Sequence, residues 1–255
     1  FEGQVRKPED MLGELDWAHI NPATGPVYIE GVKPGDVLRI EIRDIRVDEQ
    51  SVVVCMPGSG AIGDVIRQTE AVVMPIQNGQ AVYKDRVRLP IDPMIGVIGV
   101  APVEEEIATG VPDYHGGNMD CTAIRKGAAL YLTANVEGAL LGCGDLHAVM
   151  GDGEIIVTGA ETNGEVHLNV TVSPLKGLPT PFLENDEVVA VIFSALTIDE
   201  AVNEAVHRMT HFLTEFAGIP LNDAGMLMSL AGQLKFCQVV DPKRTVRFEF
   251  PKRIL

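Results

Sequence analysis

GDLHAVMGDGEIIVTGAETNGEVHLNVTV, residues 144–172, is the stretch on which the fold turns. From 165 onward Val166, Leu168, Val170 and Val172 alternate with Glu165, His167, Asn169 and Thr171. Period two marks a half-buried strand and puts His167 on its wet face. Asn163-Gly164 is the strongest short-range hairpin signal, so 154–162 and 165–172 are expected as its two arms. At the front of the stretch, Asp145 and His147 share one face of a strand while Leu146 and Ala148 take the other, because residues i and i+2 point the same way. The turn Gly151-Asp152-Gly153 then delivers Glu154 to the start of the next strand.

The β signal continues outward on both sides. Residues 128–136 and 138–143 read as strand, the second leading into Asp145, and another compact cluster, HGGNMD, occupies 115–120. Leu38, Ile40 and Ile42 alternate with Arg39, Glu41 and Arg43, and the parity slips at Ile45 and Val47, which predicts a β-bulge near Asp44. Short apolar runs at 52–55, 71–76, 87–89 and 95–100 add further strands. Gly58-Ser59-Gly60-Ala61-Ile62-Gly63 fits the dinucleotide pattern G-x-G-x-x-G, but that chemistry needs a helix after the glycines. Pro57 precedes the loop and 64–75 carries no apolar stripe, so this reads as a glycine loop of the kind that borders active sites. Residues 1–26 are irregular, with a polar segment over 9–17 and Trp17 as a packing anchor.

Past 173 the pattern changes. A strand over 188–193 precedes Val202, Ala205, Val206, Met209, Phe212, Leu213 and Phe216, which recur at helical spacing. Thr197 or Asp199 caps that helix and Gly218 and Pro220 stop it. A second helix is expected over 223–231, capped by Asn222, with Met226 and Met228 as core filler like Met209. Strands at 234–240 and 246–250 follow. His207 and His211 stand one helical turn apart but off the apolar stripe, so they read as exposed. The fold expected is mainly β: a β-rich body over 1–172 carrying the acidic and histidine clusters, and a smaller α+β unit over 173–255, packed as one compact structure.

Composition narrows the partners. The 255 residues are 46% hydrophobic and 22% charged, as in a soluble globular protein. A formal net charge of −16 argues against a nucleic-acid surface and against binding to anionic membranes. No apolar run reaches the ~18–20 residues of a spanning helix. Cys55, Cys121, Cys143 and Cys237 show no C-x-x-C spacing, as expected of reduced thiols in a cytoplasmic protein. Phe1 is not a translation start, which leaves room for a targeting segment or further structure upstream.

Asp120, Asp145, Asp152 and Glu154 lie mostly beside glycines, which let the backbone turn sharply and a ligand come close. If these acids converge, two like charges ~4 Å apart cost about 4 kcal/mol at an effective dielectric of ~20. Local base is limited to His115, His147, Arg125 and Lys126, so a bound cation is the simplest compensation. The competing reading makes the acids plain turn residues, since Asp-Gly is common in hairpins. The D-x-H pair favours a site: carboxylate beside imidazole suits Zn2+, while Asn118 with the acids suits Ca2+. Cys143 shares the Asp145/His147 face by parity, so a Cys–His nucleophile is an alternative, although nothing marks it as a low-pKa thiol. Ser59 lacks the G-x-S-x-G context of a serine nucleophile.

P-x-x-HGGN-x-D at 112–120, followed by GALL-x-x-GDLHA-x-x-GDGE at 138–154, resembles the acetamidase/formamidase family of amidohydrolases. The likeness extends to NPATGPVYIEG at 21–31, PGD at 34–36, GVIGVAP at 96–102, DAGMLMSLAG at 223–232 and QVVDP at 238–242, nearly the whole chain. It implies a barrel- or jelly-roll-like β body with a small α+β part, and hydrolysis of short aliphatic amides such as acetamide and formamide to carboxylate and ammonia. It also implies a divalent metal at the acidic and histidine region, a homodimer, an N-terminal β segment ahead of residues 1–4, and an aliphatic residue where Cys143 stands. On this reading Asp120, Asp145 and His147 hold the ion, with Asn118 and Asp152 beside them. A metal-activated water attacks the amide carbonyl, and Glu154 acts as general base and then acid, with His147 and Asp145 in the catalytic set. His115 and Glu161 contact substrate or stand behind the ligands. Two other readings stay open: a non-catalytic, metal-stabilised β protein that binds a small ligand, and a hydrolase of a different C–N bond.

Overall fold

The computed structural model describes Lys7, Asp10 and residues 21–255; Trp17 and the polar segment over 9–17, Asp10 apart, fall outside that range. The strands follow in chain order as β1 (Ala23–Val27), β2 (Val37–Val47), β3 (Gln50–Cys55), β4 (Glu70–Gln77), β5 (Gln80–Tyr83) and β6 (Val87–Pro90). Next come β7 (Met94–Gly99), β8 (Gly116–Asn118), β9 (Ala129–Thr133), β10 (Leu141–His147), β11 (Glu161–Thr162) and β12 (Gly164–Val172). The remainder holds β13 (Phe182–Glu184), β14 (Val188–Ala195), the helices α1 (Ile198–His211) and α2 (Leu221–Ala231), β15 (Gln233–Gln238) and β16 (Arg244–Pro251). One sheet has nine strands in the order β6-β5-β4-β3-β11-β10-β7-β8, with β1 also paired to β10. The other has seven, β12-β2-β9-β13-β14-β16-β15, so strands from either side of residue 173 share it. The protein is mainly β, as expected, but its two antiparallel sheets stay open and close no barrel.

Alternation along single strands builds the layers. Leu130 and Leu132 of β9, with Ala190 and Ile192 of β14, meet Ile95, Ile98 and Leu146 of the nine-stranded sheet in one core. Their neighbours Ala129, Tyr131, Val189 and Val191 point the other way, onto Ala201, Ala205 and Met209 of α1 and Ala224 of α2. The seven-stranded sheet is thus covered on both faces, and each large apolar side chain it buries contributes about 1.5–3 kcal/mol. In β2, Leu38, Ile40 and Ile42 face the inter-sheet core, and the register then slips between the pairs His167–Asp44 and Leu168–Ile42. That slip is the bulge expected near Asp44; it returns Ile45 to the core.

Four expectations are corrected. Glu154 does not open a strand: residues 148–160 form an irregular loop, and only Glu161 and Thr162 pair as β11. Asn163-Gly164 closes no hairpin, because Glu161 pairs with Val52 and His147 in one sheet while Gly164 pairs with Val47 in the other. Neither residue takes the positive φ that such a turn requires. Helix α2 starts at Leu221 behind Pro220, with no side-chain cap from Asn222. Its Met228 packs on the helix-side core, but Met226 is 57% exposed. Two residues beyond buried Ala224 is more than half a turn around the helix, which faces Met226 to solvent. The glycine loop over 58–63 runs into no helix, and His207 and His211 are exposed, both as expected. Among the described residues no helix is long and apolar enough to cross a membrane.

Candidate active site

The expected acids converge on His147, which ends β10 wholly buried. Its Nδ1 lies 4.0 Å from Asp120 Oδ1, and its Nε2 lies 3.8 Å from Asp145 Oδ2 and 3.1 Å from Glu161 Oε1. The flanking pairs Gly144–Val97 and Leu146–Ile95 put Asp145 across from Gly96 of β7, whose own carbonyl accepts the Asp120 amide. A Cβ on Gly96 would stand 2.6 Å from Asp120 Oδ1 and 2.7 Å from Asp145 Oδ2, so the bare glycine makes the floor on which the two carboxylates meet. Asp120, Asp145 and Glu154 have φ of 43°, 55° and 42°. Non-glycine residues rarely occupy that left-handed region, and its strain gathers at functional sites.

Two sets of three donors can be drawn on the one imidazole, each with its atoms within 4.8 Å: Asp120, His147 and Glu154; and Asp145, His147 and Glu161. Hydrogen bonding separates them. Glu161 Oε1 accepts from the Gly159 amide and faces His147 Nε2, whereas His147 Nδ1 and both oxygens of Asp120 are buried without a hydrogen-bond partner. Burial and the facing Glu161 raise the Asp145 carboxyl well above its usual range; burial likewise raises Asp120, beside Asp241 and Glu161. Burial, with Asp120 close by, pushes Glu154 up to about 11. Burial draws the His147 imidazole down, but the carboxylates of Glu161, Asp145 and Asp120 outweigh it and hold it well above its ordinary value. Burial also acts on Glu161, yet the pull of His147 leaves it below the usual range. The group as a whole draws positive charge into itself, which protons or a cation can supply. A carboxylate bonded to one imidazole nitrogen, with the other nitrogen free beside acidic oxygens, is how metal-binding histidines are held. The residues fit a divalent cation.

A cavity of about 370 Å³ opens onto the cluster, lined by Asp145, Glu154, Glu161 and Asn118 together with Asn21, Asp241, Met56 and Ser59. The last two place the glycine loop on its rim, where the Ala61 amide donates to the Ile155 carbonyl. Asn118 donates from Nδ2 to Asp241 Oδ2 at 2.9 Å and leaves Oδ1 without a partner. Three expected residues are elsewhere. Asp152 turns away to a bidentate pair with Arg247, at 2.7 and 2.8 Å, because a guanidinium outcompetes a site already rich in acid. His115 is buried against Gly99 and Gly117, with Asp113 and Lys243 as its charged neighbours, and burial lowers its pKa. Cys143 packs on the inter-sheet core, as does Leu146 three residues on, so the kink at Asp145 breaks the parity that put the thiol beside it. Burial raises the Cys143 pKa.

Sequence reading missed Asp241 and Asn21. Asp241 was legible only as a turn residue before Pro242, although it stands in the QVVDP run; in the structure burial pushes its carboxyl up to about 7. Asn21 Nδ2 lies 3.4 Å from Asp145 Oδ2 and opens another run of the same likeness.

Comparison with known proteins places the chain by sequence and by fold. Residues 2–110 and 103–254 match the profile of the Acetamidase/Formamidase family. An acetamidase of Bacillus halodurans is 43% identical, with a TM-score of 0.96 over 98% of this chain and 85% of that one. A recombinant predicted acetamidase/formamidase of Thermoanaerobacter tengcongensis is 44% identical, also at 0.96, over all of this chain and 85% of that one. A formamidase of Methylophilus methylotrophus is 22% identical over 74% of this chain and 62% of its own length. The chain spans 53% to 62% of the length of the curated relatives it matches. With the family profile matched along nearly its whole length and the fold shared with these solved structures, the chain belongs to the acetamidase/formamidase family.

Proposed function

We propose that this protein hydrolyses short aliphatic amides to carboxylate and ammonia at the His147 cluster, with a divalent cation held by Asp120, His147 Nδ1 and Glu154. The observation that carries the reading is that, within the His147 cluster, both Asp120 oxygens and His147 Nδ1 are buried without hydrogen-bond partners. An imidazole among the donors favours Zn2+ over the all-oxygen shell of Ca2+. When bound, such an ion supplies Lewis-acid activation of water and of the substrate carbonyl.

The remaining roles belong to the chain's own groups. Glu161 holds Nε2–H of His147 and so keeps Nδ1 free. Asp145, on the cavity wall, takes the proton from the attacking water as the C–O bond forms and returns it to the amide nitrogen as the C–N bond breaks and ammonia leaves. Asn118 Oδ1 and Asp241 accept from the substrate NH2. This exchanges the duties expected of Asp145 and Glu154, because the partnerless Asp120 and His147 atoms belong to the donor set that includes Glu154. The same reading includes a homodimer in the reducing cytoplasm, where Cys55, Cys121, Cys143 and Cys237 stay as free thiols.

Elemental analysis combined with ammonia release from acetamide and formamide tests it. Asp120→Asn and Glu154→Gln should lose both the ion and turnover. Asp145→Asn should keep the ion while kcat falls about 100-fold or more. If Asp120→Asn retained the metal and full turnover, the assignment would be wrong.

A further inference from the structure

The two segments that carry Asp120 and Glu154 are joined through Asp152, which one buried guanidinium holds. Arg247 of β16 is 3% exposed. It donates from Nη1 and Nη2 to the two oxygens of Asp152, two residues before Glu154, at 2.8 and 2.7 Å. Thr122, two residues after Asp120, donates to the same Asp152 Oδ1 at 2.6 Å. Arg247 Nε is occupied by Glu249 at 2.7 Å, and Glu249 is held in turn by Lys235 at 2.9 Å, so the guanidinium cannot swing. Backbone bonds fix the next residue: the Gly153 amide donates to the Cys237 carbonyl, and the Val239 amide donates to the Gly153 carbonyl.

We infer that Arg247 is a positioning residue, which through Asp152 and Thr122 sets the spacing between Asp120 and Glu154. The inference rests on the cation-site reading above for its consequence, though the coupling of the two segments can be measured without it. Asp120 and Glu154 lie on irregular segments at positive φ, each held by a few backbone bonds to other strands, and the side-chain link from Thr122 to Asp152 joins the two segments to each other. Arg247, on a strand paired on both sides, anchors the Asp152 end of that link. Only a planar fork can meet both Asp152 oxygens while its Nε stays on Glu249; a lysine ammonium cannot.

The experiment compares the full chain with Arg247→Lys and Thr122→Val by hydrogen exchange, by Zn2+ titration in a calorimeter, and by kcat and KM on acetamide. In Arg247→Lys, amides in 120–124 and 151–157 should exchange about 10-fold faster while β9 and β14 are unchanged. Zn2+ affinity should fall about 10- to 100-fold, as when an outer partner of a metal ligand is removed. Turnover should fall in kcat, with KM little changed. Thr122→Val should release 120–124 but not 151–157, and it decides the matter if Arg247→Lys does not fold. Folded variants with wild-type exchange in both segments overturn the inference. A wild-type chain that takes up no Zn2+ and releases no ammonia, with faster exchange still seen in Arg247→Lys, sinks the cation site and leaves the coupling standing.

Discussion

Gly96 has an ordinary φ, and its lack of a side chain serves the space above it, where oxygens of Asp120 and Asp145 lie 2.6 and 2.7 Å from an added Cβ. The Asp145 carbonyl oxygen stands 2.8 Å from the same Cβ, so Gly96→Ala should displace both carboxylates and also strain the β7–β10 pairing. A misplacement of that order costs about 100-fold in rate, so kcat/KM on acetamide should fall to at least that extent, with a lower melting temperature from the backbone contact. The three acids at positive φ follow a related rule. Asn tolerates the left-handed region better than other non-glycine residues, so Asn replacements remove charge with little backbone penalty.

At the scale of elements, α1 begins with a reciprocal cap: Thr197 accepts from the Glu200 amide, and Glu200 accepts from the Thr197 amide. Thr197→Ala should lower unfolding free energy by about 1 kcal/mol in urea melts and leave kcat untouched, since the helix packs on the sheet face opposite the inter-sheet core. This helix was legible because its start, stripe and stop are all local. So were the β2 bulge, betrayed by one parity slip, and the Asp145–His147 pair. What could not be read was decided by distant partners. Asn163-Gly164 carries a turn signal, but β11 and β12 find their mates in different sheets. Asp152 sits between two glycines like a ligand, yet a guanidinium 95 residues away claims it. Asp241 comes to the cavity from the β15–β16 turn, and no spacing rule links it to Asn118, 123 residues earlier.

Across the whole molecule, the Arg247–Asp152 pair ties the irregular 148–160 loop to the seven-stranded sheet, and its charge makes that tie depend on pH. Burial acts to raise Asp152, but Arg247 and Thr122 prevail and hold its carboxyl below the usual range. A depressed folded-state pKa gives stability that is fully present above the unfolded value near ~3.9 and is lost as pH falls through the folded value. Between pH ~5 and ~3, urea midpoints of the native chain should therefore drop more steeply than those of Asp152→Asn. The passage from Glu161 to Gly164 has a mechanical meaning as well. Within three residues the chain leaves the layer where a carboxylate steadies His147 and joins the opposite layer beside Val47. A displacement of one layer against the other is therefore carried along only three residues to the strand that holds this carboxylate beside its ring.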